Sequence, residues 1–160
     1  MNKVHHYKVC INWTGNNGTG TSSYKSYERS HSISVDQKAI IEASSDPNFR
    51  GDVTKHNPEE LFLAAISSCH MLWYLHLCAE AGIIVTHYSD DAKAIMQETA
   101  DGGGHFIEAT LHPHITITDL QMLDVANLLH KKANQLCFIA NSCNFPIKHD
   151  PLFKVEKIEN

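Results

Sequence analysis

Hydrophobic residues follow two different spacings along the chain, and each spacing predicts a different kind of element. Apolar and polar residues alternate over 5–12, which predicts a first strand. Similar short runs bounded by turn residues predict the later strands. These are expected around Tyr24 and over residues 32–35, 39–43, 83–86, 92–96, 106–117 and 145–158. Two longer runs instead have the spacing of helices.

The longest apolar run, residues 61–77, predicts a long helix with clear ends. Asn57 is a favourable N-cap residue, Pro58 suits the first helical position, and Glu60 occupies the capping-box position. Gly82 is expected to end the helix. Its apolar residues lie almost all the way round, which predicts burial on most sides. Interrupting Ser and His residues favour a core helix over a membrane span.

A hairpin and a second helix follow. Asp101 and the three glycines after it predict a hairpin turn. Thr118 and Asp119 predict the N-cap of a helix that ends near Gln135, shortly before Cys137. The order of strands, long helix, hairpin, helix and closing strand indicates an α+β fold with antiparallel sheets. A length of 160 residues fits one domain over residues 1–160.

Composition and charge narrow the function classes. The net charge is −5 and Lys and Arg form no run, which disfavours nucleic acid as a partner. The polar, His-rich N-terminus does not resemble a signal peptide. Five cysteines, an odd number, then predict free thiols in a reducing compartment. We therefore expect a cytoplasmic protein with neither a nucleic-acid nor a membrane partner.

Cys69 is the first candidate for chemistry, although its position alone argues for an inert side chain. A thiol inside an apolar helix is usually unreactive, because desolvation disfavours the thiolate. The neighbouring sequence changes this interpretation. An acidic helix start and a loop containing Arg50 precede Cys69, and a second cysteine, Cys137, follows the next predicted helix.

A block of residues around Cys69 resembles the OsmC/Ohr family of proteins. The block consists of Asn57-Pro58-Glu59-Glu60-Leu61, Ala64-Ala65 and Cys69. The resemblance extends over most of the chain in the order of elements. It implies an OsmC-like fold built as an intertwined homodimer. It also implies a peroxidase that reduces organic hydroperoxides without a cofactor, using a dithiol or a lipoylated protein as reductant.

The resemblance also implies roles for individual residues. Cys69 corresponds to the peroxidatic cysteine and Cys137 to the resolving cysteine. Glu59 corresponds to the carboxylate that pairs with an arginine beside the thiol. That arginine is Arg50 by its place in the upstream loop, with Arg29 as the alternative. An adjacent guanidinium stabilises a thiolate, and a sulfenic acid formed on it is converted to a disulfide by a nearby thiol.

The distance between two of these residues predicts an assembly. Glu59 and Cys69 are separated along the predicted helix by a rise of ~15 Å, too far to act at one site within one helix. If both serve one site, Glu59 comes from an antiparallel copy of the helix in a second subunit. The all-round apolar surface of the helix supports the same inference.

The sequence departs from the family pattern at the resolving position. Typical members have proline directly after the resolving cysteine, whereas Phe138 follows Cys137 here. Cys143 is an additional thiol and could replace Cys137 as resolving partner. The chain is therefore expected to belong to an atypical branch of the family.

Other functions stay open at this stage. A non-catalytic dimeric protein that binds a small hydrophobic ligand would keep the same fold. A structural metal site using Cys137, Cys143 and histidines is less favoured, and the pair His112 and His114 is a weak metal signal without further ligands. Cys10 and Cys78 are expected to be packed thiols. The apolar pocket around Cys69 is predicted to be lined by Phe62, Leu63, Met71, Trp73 and Phe138.

Overall fold

The computed structural model describes residues 3–156. These residues form two compact units, the first ending at Phe62 and the second beginning at Leu63. The single domain predicted over residues 1–160 therefore stays a prediction.

The first unit contains a three-stranded antiparallel sheet in the order β1-β2-β3. Its strands are β1 (Cys10–Trp13), β2 (His31–Ser34) and β3 (Ile41–Ala43). The predicted first strand thus begins five residues late, at Cys10, and Tyr24 lies in a turn rather than in a strand. The side chain of Asn16 accepts hydrogen bonds from Gly18 and Gly20, both at positive φ, so this segment is held as a loop.

The loop between β3 and the long helix is ordered by its own hydrogen bonds. A short 3-10 helix, Pro47–Phe49, is capped by the Asp46 side chain. Arg50 follows it in the left-handed conformation, at φ 65°. A side chain on Gly51 would collide with the carbonyl of Ser45, which explains the glycine there. The backbone at Arg50 therefore has a defined turn conformation.

The long helix α1 spans Pro58–Glu80, as the sequence predicts. Asn57 and Glu60 form the capping box: the Glu60 N–H donates to Asn57 Oδ1, and the Asn57 N–H donates to Glu60 Oε2. At the other end Gly82 has φ 72° and Ile83 N–H donates to the Cys78 carbonyl, closing a Schellman motif.

The second unit holds two further three-stranded sheets and a second helix. The strands are β4 (Val85–Asp90), β5 (Lys93–Glu98), β6 (Gly104–Leu111), β7 (Pro113–Ile117), β8 (Ile147–His149) and β9 (Leu152–Val155). One sheet has the order β4-β7-β9 and the other the order β5-β6-β8. Helix α2 spans Leu123–Leu136 after a 3-10 turn capped by Asp119. The predicted hairpin at Asp101 joins β5 to β6.

Two predicted strands are each divided in the structure. The run 106–117 forms β6 and β7 in different sheets, because the chain turns at His112, whose N–H donates to Asp90 Oδ1. The run 145–158 forms β8 and β9, separated by Asp150 and Pro151. Its last two residues lie outside the described part of the chain.

The prediction of purely antiparallel sheets is wrong for the second unit. β8 pairs with β6, and β9 pairs with β7, in the parallel sense. Parallel pairing requires a crossover connection, and α2 lies within both connections, from β6 to β8 and from β7 to β9. The fold class is α+β, with one antiparallel and two mixed sheets.

Helix α1 is less buried within the single chain than the sequence predicts. Its buried residues follow helical spacing along one face: Ile66, His70, Tyr74, Leu77 and Cys78. Leu72, on another side, is 63% exposed. By length and composition alone α1 could cross a bilayer, a property that core helices of globular proteins share.

Candidate functional site

Cys69 lies partly exposed in an apolar pocket of about 360 Å³. The pocket is lined by Ala65, Ser68, Cys69, Leu72, Trp73, Phe138 and Ile139. Trp73 and Phe138 are therefore confirmed as pocket residues, while Phe62, Leu63 and Met71 lie outside the lining. Ala65 and Leu72 were not predicted, although their helical spacing from Cys69, four residues before and three after, was a usable signal.

The structure brings Cys69 and Cys137 together. Helix α1 carries the first thiol, and the second lies at the C-cap of α2, where its N–H donates to the Ala133 carbonyl. The two side chains are close enough for Cys69 to influence the Cys137 thiol. Cys137 is completely buried, and this burial, together with the neighbouring Cys69 thiol, raises the pKa of Cys137 to about 11.

The segment after Cys137 turns back on itself without the proline typical of the family. The Ala140 N–H points at the Cys137 sulfur, at 3.4 Å, and a 3-10 turn, Ala140–Ser142, follows. Cys143 ends this turn and its thiol donates to the Ile139 carbonyl at 3.3 Å. Burial raises the pKa of the Cys143 thiol as well. Cys143 is thus close to Cys137 in the chain, whereas the thiol that influences the Cys137 pKa is Cys69.

An aromatic pair forms one side of the pocket. The rings of Trp73 and Phe138 meet edge to face, with centroids 5.7 Å apart. Phe138 is 68% exposed, which is unusual for a phenylalanine. The residue that replaces the expected proline therefore extends the apolar wall beside Cys69.

Glu59 lies in the first turn of α1, and its carboxylate is incompletely paired. Its Oε2 atom is buried, and no hydrogen-bond partner for it is found among residues 3–156. A buried carboxylate oxygen without a partner is costly, so a donor from outside the described chain is expected to satisfy it.

The two candidate arginines both approach Tyr24 in the first unit. Arg29 lies 4.3 Å from the ring centres of Tyr24 and Tyr27 and donates to both of their carbonyls. The Arg50 guanidinium is 6.0 Å from the Tyr24 ring. Within residues 3–156 no acceptor is found for the Arg50 guanidinium, although the Arg50 backbone N–H donates to the Pro47 carbonyl. The Arg29 guanidinium is therefore held in place, whereas the guanidinium donors of Arg50 are available.

The remaining thiols and the histidine pair have other surroundings. Cys78 is buried as predicted, but the expectation that Cys10 is packed is wrong, because β1 leaves its side chain exposed. His112 contacts the Asp91 carbonyl, and His114 lies 4.0 Å from the Asp91 carboxylate. Among the described residues, no three His, Cys, Asp or Glu side chains are arranged to share a metal ion.

A polar cluster that sequence analysis did not find lies on another face of α1. Its centre is formed by His70, His130 and His149, which come from α1, α2 and β8. His70 Nε2 and His130 Nδ1 are 2.9 Å apart, and the His149 ring packs against His70 at a tilt of 30°, with centroids 4.3 Å apart. No spacing in the sequence joins these three histidines, so only the tertiary structure reveals them.

Fold and site together define an α+β protein with two neighbouring cysteines, of which Cys69 opens onto an apolar pocket and Cys137 is buried behind it. Residues 51–151 match the family of OsmC-like proteins. The chain belongs to this family.

Solved structures support the assignment. An OsmC-like protein of unknown function from Vibrio cholerae is similar at 26% identity with a TM-score of 0.84, covering 93% of this chain and 100% of that one. An organic hydroperoxide resistance protein from Elizabethkingia anophelis has 20% identity and a TM-score of 0.63, covering 95% and 99%. One from Legionella pneumophila has 18% identity and a TM-score of 0.63, covering 95% and 100%. The last two likenesses show the fold alone. No curated protein sequence matches the chain.

Proposed function

We propose that this protein is a thiol peroxidase that reduces organic hydroperoxides to alcohols, with Cys69 as nucleophile and Cys137 as resolving thiol. The observation that carries the proposal is the proximity of these two thiols, with Cys69 lining the apolar pocket. A reactive sulfur beside a resolving thiol is the arrangement that two-cysteine peroxide chemistry requires.

The reaction proceeds in two steps. The Cys69 thiolate attacks one peroxide oxygen, the O–O bond breaks, and the leaving alkoxide takes a proton to become the alcohol. Cys69 is then a sulfenic acid. The Cys137 sulfur attacks the Cys69 sulfur, the S–O bond breaks, and hydroxide leaves as water once protonated. The resulting disulfide takes two electrons and two protons from an external dithiol, which restores both thiols.

Arg50 is proposed to stabilise the Cys69 thiolate and the leaving oxygen, and Glu59 is proposed to hold the guanidinium by a bidentate pair. The buried, unpaired Oε2 of Glu59 and the available donors of Arg50 support these roles. Arg29 is the alternative, with its donors already committed to two carbonyls.

The same proposal includes an intertwined homodimer. One continuous helix carries Glu59 and Cys69, separated by a rise of ~15 Å, so a second copy is required if both act at one site. The exposed Leu72 supports a covering partner. Light scattering on the purified protein is expected to give twice the mass of the chain, and a monomeric mass would contradict the dimer.

The pocket supports an apolar substrate. Its walls are mainly aliphatic and aromatic, and such surfaces bind the hydrocarbon part of an organic peroxide while offering little to hydrogen peroxide. We propose that the protein is cytoplasmic. We also propose that its reductant is a small dithiol or a lipoylated protein, because the reductant has to reach the Cys69–Cys137 disulfide.

The testing experiment measures consumption of cumene hydroperoxide and of hydrogen peroxide by the reduced protein with excess dithiol. Wild-type protein is expected to turn over with preference for the organic peroxide, and Cys69→Ser is expected to be inactive. Cys10→Ser, which alters an exposed thiol outside the site, is the matched control. Wild-type protein that is folded but inactive would contradict the proposal.

A second candidate is a non-catalytic dimeric protein that binds a small hydrophobic ligand. The complete burial of Cys137 and the raised pKa of its thiol favour it, because both slow attack on a sulfenic acid. Under this alternative the pocket would bind an apolar fluorescent probe, and Cys69→Ser would bind it equally well without any turnover by the wild type.

A further inference from the structure

The histidine cluster lies between the two helices that carry the reactive thiols. His70 follows Cys69 directly on α1, and adjacent helix residues point about 100° apart. Its ring is therefore directed away from the pocket and into the protein, where it is 1% exposed. His130 is 3% exposed and comes from α2.

The contact between these rings is a hydrogen bond in a dry environment. His70 Nε2 and His130 Nδ1 are 2.9 Å apart, and the two rings are nearly coplanar, at 9°. One nitrogen donates the shared proton to the other. Such a bond is strongly directional, and breaking it would leave a buried nitrogen unsatisfied.

The surroundings of the pair restrict its movement. The His149 ring packs against His70 at a tilt of 30°, and Tyr74 stacks on His130 with ring centroids 4.0 Å apart. Phe153 meets the edge of His130 at 6.0 Å. Rings on three sides therefore hold the hydrogen-bonded pair in one arrangement.

The position of this hydrogen bond in the two helices relates it to the positions of the two thiols. On α2, His130 precedes Cys137 by two turns and so lies on nearly the same face, about 10.5 Å along the axis. On α1, His70 is the neighbour of Cys69. A sliding or rotation of one helix against the other would change the His70–His130 distance and the Cys69–Cys137 distance together.

We propose that the His70–His130 hydrogen bond is a positioning element that sets the spacing of the Cys69 and Cys137 sulfur atoms and thereby the rate at which they form a disulfide. The importance of this rate in turnover rests on the proposed peroxidase function. Both histidines are positioning residues, because neither lines the pocket in which the peroxide reacts.

The test uses diamide, a two-electron oxidant that converts a dithiol to a disulfide and is itself reduced to a hydrazine. Diamide forms the Cys69–Cys137 disulfide without any peroxide. If the wild-type protein did not consume cumene hydroperoxide, the peroxidase proposal would be rejected. The rates of disulfide formation with diamide would still test the role of the histidine pair.

Two polar variants separate the hydrogen bond from mere folding. His130→Asn places an amide close to the position of Nδ1 and keeps the bond, whereas His130→Gln places the amide nearer the position of Nε2 and loses it. His130→Gln is expected to form the disulfide about tenfold more slowly than wild type, and His130→Asn within about twofold of it, because small misplacements strongly slow reactions between positioned groups.

His149→Phe is the matched control, since it keeps a ring packed against His70 and leaves the His70–His130 hydrogen bond intact. Its disulfide rate is expected to equal that of wild type. Alkylation of Cys69 by iodoacetamide in the reduced proteins is expected to be equally fast in all variants, which a general loosening of the fold would not allow. Equal disulfide rates in His130→Gln and His130→Asn, or an equal loss in His149→Phe, would overturn the proposal.

Discussion

Two faces of helix α1 differ in almost every physical property, although Cys69 and His70 are adjacent in the sequence. The Cys69 face borders an open apolar pocket that solvent and small molecules can enter. The His70 face is closed, polar and buried against α2, β4 and β8. Within the described chain, the open face leaves room for a small molecule, and the closed face holds its side chains in one arrangement.

The closed face has an electrostatic character of its own. Burial lowers the pKa values of His70 and His130 to about 3, and neighbouring histidines add to the effect. Burial also lowers the pKa of His149, which the Asp90 carboxylate partly offsets. Tyr74 on α1 and Tyr88 on β4 border the same region, and burial raises the pKa of each. Near neutral pH the three histidines and the two tyrosines are therefore uncharged.

Helix α1 therefore carries the reactive thiol on one face and the proposed positioning histidine on the other. A thiol needs access to its substrate, whereas a pair of thiols needs a fixed mutual distance, and one surface serves both needs poorly. Each face can be perturbed without the other.

The largest effect is expected from Cys137→Ser, which removes the proposed resolving thiol beside Cys69. The variant should consume one equivalent of cumene hydroperoxide and then stop, because the Cys69 sulfenic acid has no internal partner. A burst followed by loss of steady-state turnover, measured with excess dithiol, checks this. Continued turnover would transfer the resolving role to Cys143 or to an external thiol.

The next effect concerns the arginine. Arg50→Ala is expected to slow the first turnover by about a hundredfold, the usual order for loss of a group that stabilises developing charge. Arg29→Ala is the paired variant. If Arg29→Ala instead causes the larger loss in rapid-mixing measurements, Arg29 is the activating residue and Arg50 is not.

Acid is expected to lower the free energy of unfolding through the histidines of the closed face. The pKa values of His70 and His130 are lowered in the folded state, so the unfolded chain binds more protons between about pH 6.5 and 3. Their contribution is complete above pH 6.5 and declines as pH falls, by about 1.4 kcal/mol per pH unit for each proton taken up. Urea unfolding at pH 7.5, 6.0 and 5.0 measures this decline.

A matched variant separates the cluster from the rest of the protein. The double variant His70→Gln with His130→Asn lacks both titrating rings. Its unfolding free energy should fall less steeply between pH 6.5 and 5 than that of wild type. Identical slopes would show that other groups cause the acid sensitivity.

The smallest effect is expected at the aromatic wall of the open face. Phe138→Ala should lower kcat/KM for cumene hydroperoxide by about tenfold and leave hydrogen peroxide nearly unaffected, because a pocket contact discriminates only through the apolar part of a substrate. Leu128→Ala, on the exposed surface of α2, is the control. Equal losses for both peroxides would contradict a role of Phe138 in selectivity.

The sequence predicts the features of the fold that depend on neighbouring residues. Asn57, Glu60 and Gly82 act on the ends of their own helix, so α1 could be predicted almost to the residue. The division of 106–117 depends on a hydrogen bond from His112 to Asp90, which lies on another strand. Such distant pairings, like the parallel pairs of β8 and β9, leave no mark in the local pattern.

The candidate site divides in the same way. Cys69 and Cys137 were identified through family resemblance, and the structure brings them into contact. The pocket residues Ala65 and Leu72 were within reach of helical spacing. His70 and His130 were not, because sixty residues separate them and each alone is an ordinary histidine.

The central claim is that Cys69 and Cys137 form one redox pair, and peptide mapping by mass spectrometry tests it most directly. The reduced protein receives one equivalent of cumene hydroperoxide, free thiols are alkylated, and the digested peptides are identified. We expect a single disulfide between Cys69 and Cys137, with Cys10, Cys78 and Cys143 alkylated. An alkylated Cys69, or a disulfide between Cys69 and Cys143, would contradict it.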